Sequence, residues 1–265
     1  MDAPASPALT NSIRQKGHHM QKKRLAQALL ALSAATLLGS ACAAPEQAPA
    51  SQSQYQAAIA NPARTDDDRK SDAKRKPAEF LAFAQVRPGM KVLDVAAGGG
   101  TSAALLAAAV GKTGEVWAQT AKPSPKLDAR VAALPNLHPV VASFDNPVPN
   151  GTPPLDLVTI NMSYHDIVNT PTDRAQMNKR LYDALKPGGR LVLVDNAAKA
   201  GSGLAATKTL HRIDEEAVVA ELAKAGFAVD AKSDYLRVPS DPREQPFFEM
   251  KGAPDDKFAI RFIKK

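Results

Sequence analysis

The segment Val92-Leu93-Asp94-Val95-Ala96-Ala97-Gly98-Gly99-Gly100-Thr101 carries the clearest chemical signal in the chain. An apolar strand ends in an acid, and a glycine loop then opens a helix. Glycines in that place let a nucleoside ligand approach the loop closely and supply dihedrals that side chains resist. The pattern predicts a nucleotide- or nucleoside-binding turn, with a merely structural turn as the alternative. Tyr164-His165-Asp166 and His211-Arg212 form the second group. A histidine titrates near neutrality, so His165 could take a proton from an attacking nucleophile. Equally, Tyr164 could pack and His165-Asp166 could make a local structural hydrogen bond. Arg212 could hold an anionic substrate, pair with Asp195, or anchor the loop that precedes it. No metal site is expected: His138 is isolated in the sequence, His18 and His19 lie near the start, and there is no cysteine cluster. A G-x-S-x-G elbow for serine hydrolysis is also missing.

Taken with Leu155-Asp156-Leu157-Val158 and Leu185-Lys186-Pro187-Gly188-Gly189, the glycine segment resembles the class I S-adenosylmethionine (SAM)-dependent methyltransferases. More narrowly, Asn161-Met162-Ser163-Tyr164-His165-Asp166, Leu210-His211-Arg212-Ile213-Asp214 and Ser233-Asp234 resemble a group of bacterial, often exported, predicted methyltransferases. The resemblance runs from about Asn61 to the C-terminus. It implies SAM as cofactor, with Asp94, Gly98 and Gly100 at its methionine and ribose end and Phe144-Asp145 flanking the adenine. Ala96 and Asn161 join the implied cofactor-binding set. One position departs from the pattern. The family places an acid at the end of the second strand for the ribose hydroxyls, and here Gln119 stands there, an uncharged acceptor. That same absence counts against a nicotinamide enzyme. Catalytic roles are expected for His165, Tyr164, Asp166, His211 and Arg212. The reaction implied is methyl transfer to a small-molecule acceptor; the rival is an exported binding protein that kept the fold without catalysis.

These residues need a scaffold, and the pattern supplies one. Strand and helix signals alternate from about Asn61, which predicts an α/β fold: a doubly wound, Rossmann-like, mostly parallel seven-stranded sheet with helices on both faces. An exposed charged helix is expected over Asp66 to Lys76, and Pro77 opens the next. Strands are expected at Lys91–Val95, Glu115–Gln119, Pro139–Ala142, Leu155–Met162 and Arg190–Asp195, with a closing hairpin from Phe227–Val229 and Phe258–Ile263. Thr172 is expected to cap a helix showing Met177, Leu181 and Leu185 on one face, and Asp214 another with Ile213 and Val218 as a hydrophobic staple. Ligands of such sheets bind over the carboxyl ends of the strands.

Composition bounds the rest. Of 265 residues, 44% are hydrophobic and 23% charged, an ordinary globular balance. The net charge of +7 is inflated by the N-terminus: residues 1–41 hold five basic residues against Asp2 alone, so +4 lies there and +3 in the remainder. That remainder argues against nucleic acid as partner. Lys22-Lys23-Arg24, the apolar run Leu25–Leu38 and the small residues to Ala44 read as a secretory signal over residues 1–43, with residues 1–19 an over-extended start before Met20. Cys42, the only cysteine, suits either a lipid anchor or, within Ala41-Cys42-Ala43, ordinary cleavage. A flexible linker is expected over 44–60 and the folded domain over 61–265. A periplasmic protein is expected first, a membrane-anchored lipoprotein second, with no insertion into the bilayer once the signal is removed.

Overall fold

The computed structural model describes residues 50–265, so the export signal, Cys42 and the start of the expected linker lie outside the described residues. The first described element already departs from expectation. Helix α1 (Gln52–Ile59) begins at a Ser51 capping box and buries Tyr55 and Ala58 in the core. The Tyr55 hydroxyl donates to Val86 O at 3.0 Å. Residues 50–60 therefore belong to the folded unit, because an aromatic ring with a buried hydroxyl partner fastens them there. Helix α2 (Asp66–Arg75) follows a Thr65 capping box and ends in a left-handed Lys76, and α3 (Pro77–Phe83) starts on Pro77, whose missing N–H is harmless in a first turn.

The sheet then builds as β1 (Lys91–Val95), α4 (Thr101–Val110), β2 (Glu115–Thr120), α5 (Pro125–Val131), β3 (Leu137–Val141) and β4 (Leu155–Asn161). It continues with α6 (Tyr164–Val168), α7 (Arg174–Ala184), β5 (Leu185–Asn196), α8 (Thr207–Leu210), α9 (Glu215–Lys224), β6 (Ala228–Ser233) and β7 (Lys257–Ile263). Strand order is β3-β2-β1-β4-β5-β7-β6. The first five strands run parallel, and β7 is antiparallel to both its neighbours. The order reverses between β1 and β4, which is where such sheets open a ligand crevice.

Side chains alternate between two cores, as the period of a strand requires. Val92 of β1 and Leu157 of β4 face the cluster built with α1, α3 and α4; Leu93, Val95, Val158 and Ile160 face the cluster built with α6, α7 and α9. Met177 and Leu181 are buried together on α7 as the helical spacing predicts, whereas Leu185, expected on the same helix, opens β5 and reaches the same cluster from the strand; Ile213 and Val218 share it beside the Asp214 cap. The α7 cap is Asp173, which accepts from Gln176 N at 3.0 Å, not Thr172, whose hydroxyl is taken by Thr170.

Candidate functional site

A cavity of about 560 Å³ opens over the carboxyl ends of β4 and β5, against α2 and the first turn of α4. Asn161 and Met162 leave β4 into it, His165 and Asp166 reach it from α6, and Asn196 and His211 from beyond β5. Lys74, Arg75 and Thr101 line it as well, together with the exposed rings of Phe247 and Phe248.

The two histidines meet here. Their ring centroids are 5.6 Å apart, edge to face. His165 is buried, its backbone N–H donating to Asp195 Oδ2 at 2.9 Å and its Nδ1 lying 2.6 Å from Asp195 Oδ1. His165 Nε2 lies 3.3 Å from Asp166 Oδ1, and His211 Nδ1 3.1 Å from the same oxygen. Burial disfavours charge on His165, but Asp166 and Asp195 outweigh it and push its pKa up to about 9. With one nitrogen fastened to Asp195, His165 orients the cluster; the accessible members are Asp166 and His211. Asp166 and His211 are 45 residues apart in the chain yet adjacent in the fold, which brings two imidazoles and a carboxylate together.

Two further expectations are corrected. Tyr164 is fully buried and turned away from the cavity: its hydroxyl donates to Glu221 Oε2 at 2.7 Å and accepts from Asn178 Nδ2 at 2.8 Å. Burial and the Glu221 carboxylate raise its pKa far beyond use as an acid or base. Arg212 is fully buried as well, donating to Gln245 O and Ala197 O and pairing with Asp241 at 2.8 Å. It anchors the segment before β7 and has no face left for a substrate; Asp195 serves His165 instead.

Of the implied cofactor positions, Asn161 lines the cavity. Asp94 lies beneath the loop at 1% exposure, accepting from Thr159 Oγ1 at 2.6 Å. Burial raises its pKa to about 7, against the opposing pulls of Thr159, Arg75 and Asn161. Gly98 is left-handed (φ +55), and the only atom near a Cβ built there is Ala96 O at 4.0 Å, so open space lies above it. Ala96 is also left-handed (φ 56), a strained value for a side-chain-bearing residue. Gly100 serves packing instead. A Cβ there would stand 2.7 Å from Leu127 Cδ1, so this glycine lets α5 close onto α4 and does not face the cavity. Phe144 packs against the second core, and Asp145 accepts from Asp173 N at 2.6 Å, which ties the loop after β3 to α7.

Gln119 is fully buried. Its Oε1 accepts from Ala96 N at 2.9 Å and its Nε2 donates to Ala142 O at 2.7 Å. The side chain therefore braces the glycine loop and offers nothing to ribose hydroxyls. The methionine end of SAM fits better: Asn161, whose amide eases the charge on buried Asp94, lines the cavity together with Lys74 and Arg75. Sequence reading missed Lys74, Arg75 and Asn196. Their only signal was position, on an expected exposed helix and at the end of the fifth strand.

Comparisons with known proteins agree with this architecture. The model of the ubiE/COQ5 methyltransferase family matches residues 74–209, and that of protein-L-isoaspartate(D-aspartate) O-methyltransferase matches residues 8–128. The ubiquinone/menaquinone biosynthesis C-methyltransferase UbiE of Laribacter hongkongensis is 35% identical over 117 residues, 43% of this chain and 46% of that protein. Its counterpart in Cupriavidus metallidurans is 32% identical over 117 residues with the same coverage. The chain thus spans less than half the length of the curated relatives it matches. Among solved structures, a SAM dependent methyltransferase from Aquifex aeolicus aligns with a TM-score of 0.53 at 17% identity, covering 82% of this chain and 100% of that one. One from Mesorhizobium loti aligns with a TM-score of 0.53 at 14% identity, covering 72% and 99%. These likenesses are of fold.

Proposed function

Because the chain belongs to the ubiE/COQ5 methyltransferase family, we propose that it passes a methyl group from SAM to a small-molecule acceptor held in the cavity over β4 and β5. The observation that carries this reading is the placement of that cavity. Asn161 and the first turn of α4 bound it beside the β1/β4 crevice, and the accessible Asp166 and His211 bound it on the acceptor side. SAM supplies an electrophilic methyl on a sulfonium centre, so the protein's work is chiefly alignment. Arg75 and Lys74 hold the donor's carboxylate by charge, and Gly98 leaves room for it. Asp166 and His211 receive the acceptor's proton, with His165 as a positioning residue held by Asp195. Phe247 and Phe248 favour an acceptor with an apolar part.

Calorimetry with SAM and its demethylated product tests the proposal. Wild-type protein is expected to bind both. Gly98→Val is expected to weaken binding at least tenfold while the domain still unfolds cooperatively, at a strain of about 1–2 kcal/mol for a left-handed residue with a Cβ. A wild-type protein that binds neither compound at millimolar concentration would refute methyl transfer. It would favour the second reading, a binding protein on the same fold, for which the full engagement of the Gln119 amide by backbone is the specific support.

A further inference from the structure

Two imidazoles and a carboxylate converge on the lining of the cavity. His165 Nε2, His211 Nδ1 and a carboxylate oxygen of Asp166 all lie within 4.8 Å of one another. Two of the three separations, 3.3 Å and 3.1 Å, share Asp166 Oδ1. Nitrogen and oxygen ligands sit about 2.0–2.2 Å from a zinc-sized ion, which sets neighbouring ligand atoms roughly 3 Å apart. The two separations through Asp166 Oδ1 fit that spacing.

Two features outside the trio support it. Asp195, fully buried, takes His165 Nδ1 at 2.6 Å and leaves Nε2 as the edge turned to the cluster. Metal-binding histidines are held by a carboxylate on their other nitrogen in this way, which fixes the tautomer and the ring orientation. Asn196 is 1% exposed, lines the same cavity and donates Nδ2 to His211 O at 3.0 Å, while its Oδ1 has no partner. A buried acceptor left unmatched beside a histidine suits an ion's bound water or a ligand hydroxyl.

We propose that His165, Asp166 and His211 form a binding site for a first-row divalent transition-metal ion of the zinc type, with the remaining coordination positions open to the acceptor cavity. Two imidazoles and one carboxylate select such ions over magnesium and calcium, which take oxygen ligands. Three protein ligands with an open position is the arrangement of reactive rather than structural sites. With an ion bound, Asp166 and His211 would serve as ligands rather than bases, and an acceptor hydroxyl at the open position would give up its proton to solvent more readily. This directs the search for the acceptor towards compounds carrying an ionisable hydroxyl.

Titration of the full-length chain with cobalt(II), followed by its visible absorption, tests the site, with zinc competition as the second readout. One saturable site per chain is expected. His211→Ala should weaken it at least tenfold, and Asp195→Asn should weaken it roughly ten- to a hundredfold through the orientation of His165. His211 is partly exposed, so its removal leaves the core intact even where a change at buried His165 does not. His18→Ala/His19→Ala, which deletes the other histidine pair in the sequence, should leave the cobalt band in place. No saturable band in the wild type overturns the proposal in favour of a hydrogen-bonded relay, as does a band that survives His211→Ala and disappears with His18 and His19. The titration uses neither donor nor acceptor, so its failure and that of the methyl-transfer reading are separate results.

Discussion

Asp94 sits at the carboxyl end of β1, buried, with one oxygen accepting from Thr159. Its pKa, raised by burial to about 7, has a definite sign in folding. Between about pH 4, where an unfolded Asp titrates, and pH 7, the folded chain keeps a proton that the unfolded chain releases. Stability from this group is therefore fully present below that window and is lost as pH rises through it. Asp94→Asn removes the dependence. Urea unfolding between pH 4 and pH 8 should show wild type losing ground to the variant by a few kcal/mol, at about 1.4 kcal/mol per pKa unit. A difference that stays flat over this range would mean that Asp94 is ionised throughout.

At the scale of elements, α2 is more than the solvated charged helix expected from its sequence. Its third residue, Asp68, is 2% exposed and accepts from Arg130 Nη1 at 2.6 Å and Nη2 at 2.8 Å, and from Thr101 Oγ1 at 2.8 Å. Arg130 in turn donates to Gly99 O at 2.7 Å. One ion pair thus fastens α2, α5 and the glycine loop together. Burial opposes the Asp68 charge, but Arg130, the Thr65 N–H and Thr101 hold its pKa well below the usual carboxylate range. The pair stabilises the fold above about pH 4 and is lost as pH falls through the depressed value. Arg130→Met leaves a buried carboxylate without its cation, expected to destabilise by about 3 kcal/mol at pH 7. The deficit should shrink towards pH 4, where the stranded Asp68 protonates. Thermal unfolding at the two pH values measures this, and a penalty equal at both would remove the ion pair as the cause.

At the scale of the whole molecule, the folded unit begins earlier than its family motifs. Tyr55 is already inside the first core, whereas the expected export cleavage falls at Cys42 or after Ala43. Among the described residues, no helix is long and apolar enough to cross a membrane. We propose that the chain is exported and that the mature protein starts at Cys42, lipid-modified, or at Ala44, so that removal of the signal spares every residue of α1. N-terminal mass spectrometry of protein from its native source should find one of these two starts. Recovery of an intact Leu25–Leu38 segment in soluble cytosolic protein would refute export.

Much of this scaffold was legible in the residues. Alternating apolar runs, Pro at helix starts and the Asp94-to-Thr101 loop specify a doubly wound sheet through local physics: period, caps and turn dihedrals act within a few residues. The roles of individual side chains did not follow. Tyr164 and His165 are neighbours in sequence, yet one is sealed against Glu221 and the other opens on the cavity, since successive residues on a helix point in different directions. Gln119 reads as a ribose ligand until its amide is seen bridging Ala96 and Ala142. The trio on the cavity lining, the Asp68–Arg130 pair and the membership of α1 in the core all join residues far apart in the chain. Those contacts are decided by which surfaces the packed sheet brings together, and only the tertiary structure carries that information.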